Sequence, residues 1–124
     1  MGEIYCLYSS QNGVPRYVEA TEWSADKKWK KHLTDALDLV SGQLYDWIRD
    51  VARGGHYVGF HTLQTDIAIT ELPFYEQYWV SQFVGLLNIC ANVDKTATPT
   101  DTANSVILAI KGKLARQHFE DGES

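Results

Sequence analysis

The chain opens with two strand-like runs joined by an Asn-Gly pair, and this arrangement restricts its fold more than any other feature. Residues 3–9 and 15–21 have the alternation and the aromatic and β-branched content of strands. Asn12-Gly13 lies between them, and Asn-Gly is a dipeptide favoured in tight hairpin turns. The segment predicts an antiparallel hairpin, and we expect Tyr5 and Tyr17 to face each other across the pair.

Helical periodicity replaces this alternation after residue 24. Ser24 is well suited to cap a first helix. Its buried face is expected to consist of the apolar residues at helical spacing, Trp29, Leu33, Ala36, Leu37 and Val40. A second set at the same spacing predicts a second amphipathic helix that ends at Gly54-Gly55, and it comprises Leu44, Trp47, Ile48 and Val51.

A third strand and two further helices are predicted beyond Gly55. Tyr57, Val58, Phe60 and Leu63 indicate the strand, which residues 67–69 either extend or follow as a loop. Pro73 is placed to begin a helix that runs to about Phe83. The predicted fold is α+β: a domain at residues 1–92 with a three-stranded, largely antiparallel sheet flanked by helices. A linker at 93–102, a C-terminal helix at 103–118 and an acidic tail at 119–124 follow.

Composition limits the classes of function. The chain has 124 residues and a net charge of −5, which does not favour a broadly basic nucleic-acid surface. Four lysines nevertheless fall within residues 27–31. Cys6 and Cys90 lack the pair spacing of a zinc site, which favours reduced, buried thiols. Since neither a membrane span nor a signal-peptide pattern is visible, we expect a cytoplasmic protein without a membrane partner.

Six short stretches, in order along the chain, carry a resemblance to a known family. They are Ile4–Leu7, Arg16–Glu19, Lys28–Leu33, Leu44–Arg49, Glu76–Val80 and Leu86–Asn88. Together they resemble the GIY-YIG nuclease superfamily, and above all its short stand-alone bacterial and phage domains. The resemblance covers residues 3–88, and the predicted C-terminal helix lies outside it.

This resemblance implies a metal-dependent endonuclease that hydrolyses phosphodiester bonds in DNA. Tyr5 and Tyr17 correspond to the tyrosines that line the family's active site and assist the attacking water. Lys28 and His32 correspond to a phosphate-binding arginine and a catalytic histidine. Glu76 corresponds to the glutamate that binds one divalent ion, Mg²⁺ or Mn²⁺, and Asn88 to an asparagine that supports the site.

The chain departs from the family pattern at the residues that receive the phosphate. Glu19 replaces a glycine, which adds bulk and negative charge, although it is also a possible second metal ligand or solvent-facing side chain. Lys28 replaces an arginine, so the charge is kept but the two-pronged guanidinium is lost. Glu3 replaces the first glycine of the signature. These changes leave enzymatic activity as an open question.

Other interpretations follow from the residues themselves. Tyr5 and Tyr17 are common strand residues, the lysines suit a solvated helix face, and Glu76 suits the first turn of a helix. The second functional hypothesis is a catalytically impaired protein of the same fold that binds nucleic acid, a nucleotide ligand or a protein partner through the cleft. A third is self-association through the C-terminal helix to form a homo-oligomer.

Overall fold

The computed structural model describes residues 1–87 and 100–122, and the side chains of these residues up to 117. The strands are β1 (Gly2–Ser9), β2 (Pro15–Thr21) and β3 (Val58–Ile67). The helices are α1 (Ala25–Leu37), α2 (Gln43–Arg53), α3 (Leu72–Gln82) and α4 (Asp101–Gly122), with a short 3₁₀ turn, Ile69–Glu71, before α3. The α+β class is confirmed.

The strands form one sheet in the order β2-β1-β3, and both neighbouring pairs are antiparallel. The sheet is therefore the three-stranded antiparallel one that the sequence predicts. Gly13 completes the hairpin turn with a positive φ of 71°, and its N–H donates to the Ser9 carbonyl at 2.9 Å. β3 extends to Ile67 and ends there, which decides the alternative left open for residues 67–69.

Helices cover both faces of the sheet. Because successive side chains of a strand point to opposite faces, β1 contributes to two cores. Tyr5 and Leu7 are buried on the face covered by α1 and α2, which we call the α1/α2 face. Ile4, Cys6 and Tyr8 are buried on the opposite face, covered by α3 and α4, which we call the α3/α4 face.

Two side chains from different elements satisfy the first N–H groups of α1. The Ser24 hydroxyl accepts from the Lys27 N–H at 3.3 Å, so the predicted cap is confirmed. Glu3 Oε2 accepts from the Ala25 N–H at 2.8 Å. Negative charge at a helix N-terminus is favourable, so Glu3 ties the start of α1 to β1.

The predicted buried face of α1 is wrong for Leu37 and Val40. Leu37 is 83% exposed, and Val40 is 40% exposed and lies after the helix, which ends at Leu37. The buried residues of α1 are Ala36, as predicted, and also Ala25 and His32, while the predicted Trp29 and Leu33 are partly buried against the same core. At 3.6 residues per turn, Leu37 lies about a third of a turn away from this face. The error arose because a polar residue, His32, occupies the centre of the buried face.

α2 is fastened to the end of α1 by an arginine. Arg49 Nη1 donates to the Ala36 and Val40 carbonyls at 3.0 and 3.1 Å, which satisfies carbonyl groups at the C-terminus of α1. Gly54 ends α2, as the sequence predicts. Pro73 lies at the second position of α3, one residue later than expected.

α4 completes the core of the α3/α4 face. Ala103 and Ile110 are fully buried, and Val106 and Leu114 pack beside them. The helix lies against the hairpin turn, where a Cβ on Gly13 would come within 3.2 Å of Ile110. Residues 93–99 of the predicted linker and the end of the acidic tail lie outside the described residues. Among the described helices, none is both long and apolar enough to cross a membrane.

We expect Ile110→Ala to lower the free energy of unfolding by about 2–5 kcal/mol, because it leaves a cavity in a fully buried position. Urea unfolding measures the change. Leu108→Ala is the matched control, since Leu108 is on the same helix but 70% exposed, and its cost should stay within about 0.5 kcal/mol. Equal effects of the two substitutions would contradict the placement of α4.

Candidate active site

The site begins at the pairing of β1 with β2. Tyr5 lies opposite Glu19, and Leu7 lies opposite Tyr17. The expectation that Tyr5 and Tyr17 face each other directly is therefore wrong. The two tyrosines are diagonal neighbours on the α1/α2 face, because Tyr17 pairs with Leu7, two residues along β1 from Tyr5. As a result, the direct partner of Tyr5 is Glu19 and not Tyr17.

His32 reaches this pair from the buried face of α1. Its Nε2 lies 2.9 Å from the Tyr5 hydroxyl and 3.0 Å from Glu19 Oε2. The Tyr5 hydroxyl also donates to Glu19 Oε2. Glu19 is thus not turned towards solvent: its carboxylate is held inside the cleft by a phenol and an imidazole.

Lys28 completes the group one helical turn before His32. Its Nζ lies 3.7 Å from Glu19 Oε1, and both side chains are mostly buried, at 22% and 25% exposure. The predicted helix face with Lys28 and His32 side by side therefore meets a single carboxylate. We call Tyr5, Glu19, Lys28 and His32 the carboxylate cluster.

The environment fixes the protonation of the cluster. Burial raises the pKa of the Glu19 carboxyl, but hydrogen bonds from His32 and Tyr5 and the charge of Lys28 outweigh it, so this pKa lies below its ordinary value. Burial and the nearby Glu19 charge raise the pKa values of Tyr5 and Tyr17. Glu19 is therefore an anion at neutral pH, and both phenols keep their protons and act as hydrogen-bond donors.

Aromatic rings enclose His32. Tyr17 meets it edge-on with 5.8 Å between ring centroids, and Tyr45 of α2 lies at 6.2 Å. Because Nε2 faces the Glu19 carboxylate, it carries a hydrogen, which assigns the lone pair of a neutral ring to Nδ1. Nδ1 is buried and has no hydrogen-bond partner among the described residues. An unpartnered buried polar atom is uncommon and typical of a functional position.

Glu76 approaches the same hairpin from the other side. Its Oε2 accepts from the Ala20 N–H of β2 at 3.3 Å, and its charge contributes to the raised pKa of Tyr17. Glu76 was expected in the first turn of α3, but it lies beyond that turn because the helix already begins at Leu72. The helix N-terminus therefore does not account for a glutamate at this position.

Two open cavities meet at the end of β2. One, of about 370 Å³, is lined by Glu76 and Glu22, and the other, of about 240 Å³, is lined by Lys28. Residues 20–22 belong to both, so a carboxylate pair and a lysine border one continuous surface. Within the described part of the chain, no group of three or more His, Cys, Asp or Glu side chains could hold a metal. Mg²⁺ keeps several waters and needs only one or two carboxylates, so the donor chemistry of Glu76 and Glu22, which line one cavity, is compatible with this ion.

The structure thus brings Tyr5, Tyr17, Glu19, Lys28 and His32 together and places Glu76 on the adjoining edge. Asn88, the predicted supporting residue, lies outside the described residues. Sequence reasoning missed Tyr45 and Glu22. Tyr45 lies within the stretch Leu44–Arg49, where only the apolar residues were assigned a role, and Glu22 directly follows β2.

Comparison with known proteins adds no further assignment: no family model, curated protein or solved structure matches the chain.

We expect Glu19→Gln to reduce the free energy of unfolding by about 1–2 kcal/mol at neutral pH, because the hydrogen bonds to Glu19 are bonds to a charged group. Since the folded-state pKa of Glu19 is lowered from 4.5, its stabilising contribution is present above pH 4.5 and is lost as the pH falls below that value. The difference between the two proteins should shrink accordingly.

Urea unfolding of both proteins, at neutral pH and at decreasing pH, measures this difference. Glu22→Gln is the control, because it removes the same charge from an exposed position three residues away. A difference between wild type and Glu19→Gln that does not change with pH would contradict the ionised cluster.

Proposed function

We propose that the chain is a GIY-YIG-type domain whose cleft hydrolyses phosphodiester bonds in DNA with one divalent metal ion. The observation that carries this proposal is the convergence of Tyr5, His32 and Lys28 on one carboxylate. Two hydrogen-bond donors and a cation, from β1 and α1, are organised around an anion. A phosphate oxygen is an anion of the kind that such a group binds.

Each residue has a role that its surroundings support. Lys28 would bind the phosphate once Glu19 releases it, and His32 would take a proton from the attacking water or pass one on. Tyr5 and Tyr17 keep their protons, so they would donate hydrogen bonds to phosphate oxygens or to the water. Glu76 and Glu22 would hold Mg²⁺ or Mn²⁺, which when bound supplies positive charge to the phosphate oxygens.

In this proposal the substrate must displace the Glu19 carboxylate before its phosphate can bind. Its carboxylate now has the partners that a phosphate needs, so binding requires an exchange of one anion for the other. A Glu19 displaced towards the end of β2 would add a third carboxylate beside Glu22 and Glu76. The exchange costs the hydrogen bonds that hold Glu19, and only a phosphate with equally good contacts offsets that cost.

The second candidate, a catalytically impaired protein that binds a ligand through the same cleft, is favoured by the charges around α1. Lys28 pairs with Glu19, Lys30 with Asp26 at 3.2 Å, and Lys31 with Asp35 at 3.1 Å. Most of the lysine cluster therefore has acidic partners within the chain. With a net charge of −5 and few lysines free to contact phosphates, affinity for a DNA backbone would be low.

Nicking of supercoiled and branched DNA in the presence of Mg²⁺ or Mn²⁺ tests the nuclease proposal. We expect divalent-dependent nicking that Glu76→Gln lowers by roughly 100-fold or more, because a metal ligand is lost. Glu71→Gln is the matched control, since Glu71 is exposed and precedes the same helix. Absence of cleavage by folded protein with every substrate and both metals would reject the proposal.

A double substitution separates the two candidates. If the native protein is inactive, Glu19→Gly combined with Lys28→Arg should produce divalent-dependent nicking, because it frees the anion position and restores a planar phosphate-binding group. Adding Glu76→Gln to this variant should abolish the new activity. Activity gained in the double variant would support the impaired protein, whereas a native enzyme unchanged or slowed by the double substitution would support a working role for Glu19.

Self-association through α4 remains a proposal of smaller scope. Ala103 and Ile110 of α4 are used within the chain's own core, so a partner would have to contact the outer side of the helix. Among the side chains of α4 described up to residue 117, Leu108 is the large apolar one that is exposed, at 70%.

A further inference from the structure

A third cavity lies beside β3 at the edge of the sheet, and residues of β1, α1 and α4 also line it. It measures about 230 Å³, and four aromatic side chains line it: Tyr8, Trp29, Tyr57 and Phe60. Trp29 and Phe60 lie 5.2 Å apart between ring centroids, and the indole N–H of Trp29 donates to the Val58 carbonyl at 2.8 Å. We call this space the aromatic cavity. Its walls suit a flat aromatic ring.

Lys113 of α4 brings a primary amine to the aromatic cavity. Its Nζ lies 2.7 Å from Nδ1 of His61, and no carboxylate of the described residues lies within ion-pair distance of it. The lysine is therefore held by an imidazole instead of an acid. A lysine in an apolar pocket beside a base is the usual setting of a nucleophilic amine.

The surroundings favour the uncharged amine. Burial lowers the pKa of Lys113, the nearby Cys6 opposes this effect and Arg116 adds to it. Burial and the charge of Lys113 also lower the pKa of His61, which favours a neutral ring, and in the tautomer with its hydrogen on Nε2 the Nδ1 atom accepts from the lysine. Cys6 is fully buried, and burial raises its pKa to about 12, so its thiol is not a competing nucleophile.

We propose that the aromatic cavity is a site at which Lys113 forms an imine with an aromatic aldehyde. The lone pair of Nζ forms a bond to the carbonyl carbon as the π bond of the carbonyl breaks, and one of the two Nζ protons passes to the carbonyl oxygen. His61 Nδ1 takes the second Nζ proton and delivers it to the hydroxyl group, which leaves as water while the C=N bond forms. Amine and aldehyde thus give imine and water, and no oxidant or reductant is needed.

Salicylaldehyde is the probe, followed by borohydride reduction of the imine to a stable amine and peptide mass mapping. We expect labelling of Lys113 roughly tenfold or more faster than that of Lys111, because the cavity would hold the ring of the aldehyde beside the Lys113 amine. Lys111 is the internal control, because it is exposed and two residues away on the same helix. Equal labelling of all lysines would overturn the proposal.

Two variants and a second aldehyde sharpen the result. Lys113→Arg should remove the fast adduct, and Lys111→Arg should leave it unchanged. Labelling of the native chain should saturate with salicylaldehyde concentration, which needs no variant to fold. Acetaldehyde has no ring to hold, so its reaction at Lys113 should not saturate. Saturation by neither aldehyde, or by both equally, would show that the aromatic walls bind nothing.

His61 is the proton-transfer residue in this proposal, and His61→Gln tests it. Glutamine can keep a hydrogen bond to Lys113 but cannot exchange the proton. We expect a slower approach to the imine, by about tenfold, with the saturating concentration of salicylaldehyde unchanged. A change in the saturating concentration with an unchanged maximal rate would contradict the proton transfer through His61.

Discussion

The carboxylate of Glu19 is the interaction on which the organisation of the cleft depends. It is bound from three directions, by Tyr5 of the neighbouring strand and by His32 and Lys28 of the helix above. A polar residue at the centre of a buried helix face costs free energy unless it is paired. Glu19 supplies that pairing for His32, so the same carboxylate secures α1 on the sheet and stands at the proposed phosphate position.

Much of the fold could be predicted because local signals and tertiary structure agree. Asn12-Gly13 forms the turn, Ser24 caps α1, Gly54 ends α2, and the antiparallel sheet follows from these elements. The errors lie where long-range geometry decides. The register of β1 with β2 places Glu19 opposite Tyr5, and Tyr17 pairs two residues further along β1.

Most residues of the candidate site could be predicted from the sequence, but the contacts between them could not. A motif names Tyr5, Tyr17, His32 and Glu76, whereas the direction in which Glu19 points depends on strand register and on the burial of His32. Tyr45 and Glu22 carry no signal of their own, since an aromatic residue on an amphipathic helix and a glutamate after a strand are ordinary. They join the site only because the fold packs α2 and α3 around the hairpin.

The contact between Gly13 and Ile110 joins the first turn of the described chain to its last helix. Contacts between residues so far apart in sequence slow folding, because most of the chain must be ordered before they form. A nascent chain that has not yet released α4 from the ribosome leaves Ile4 and Cys6 without part of their cover. The sheet can therefore pair early in synthesis, but the core of the α3/α4 face closes only at the end of translation of this region.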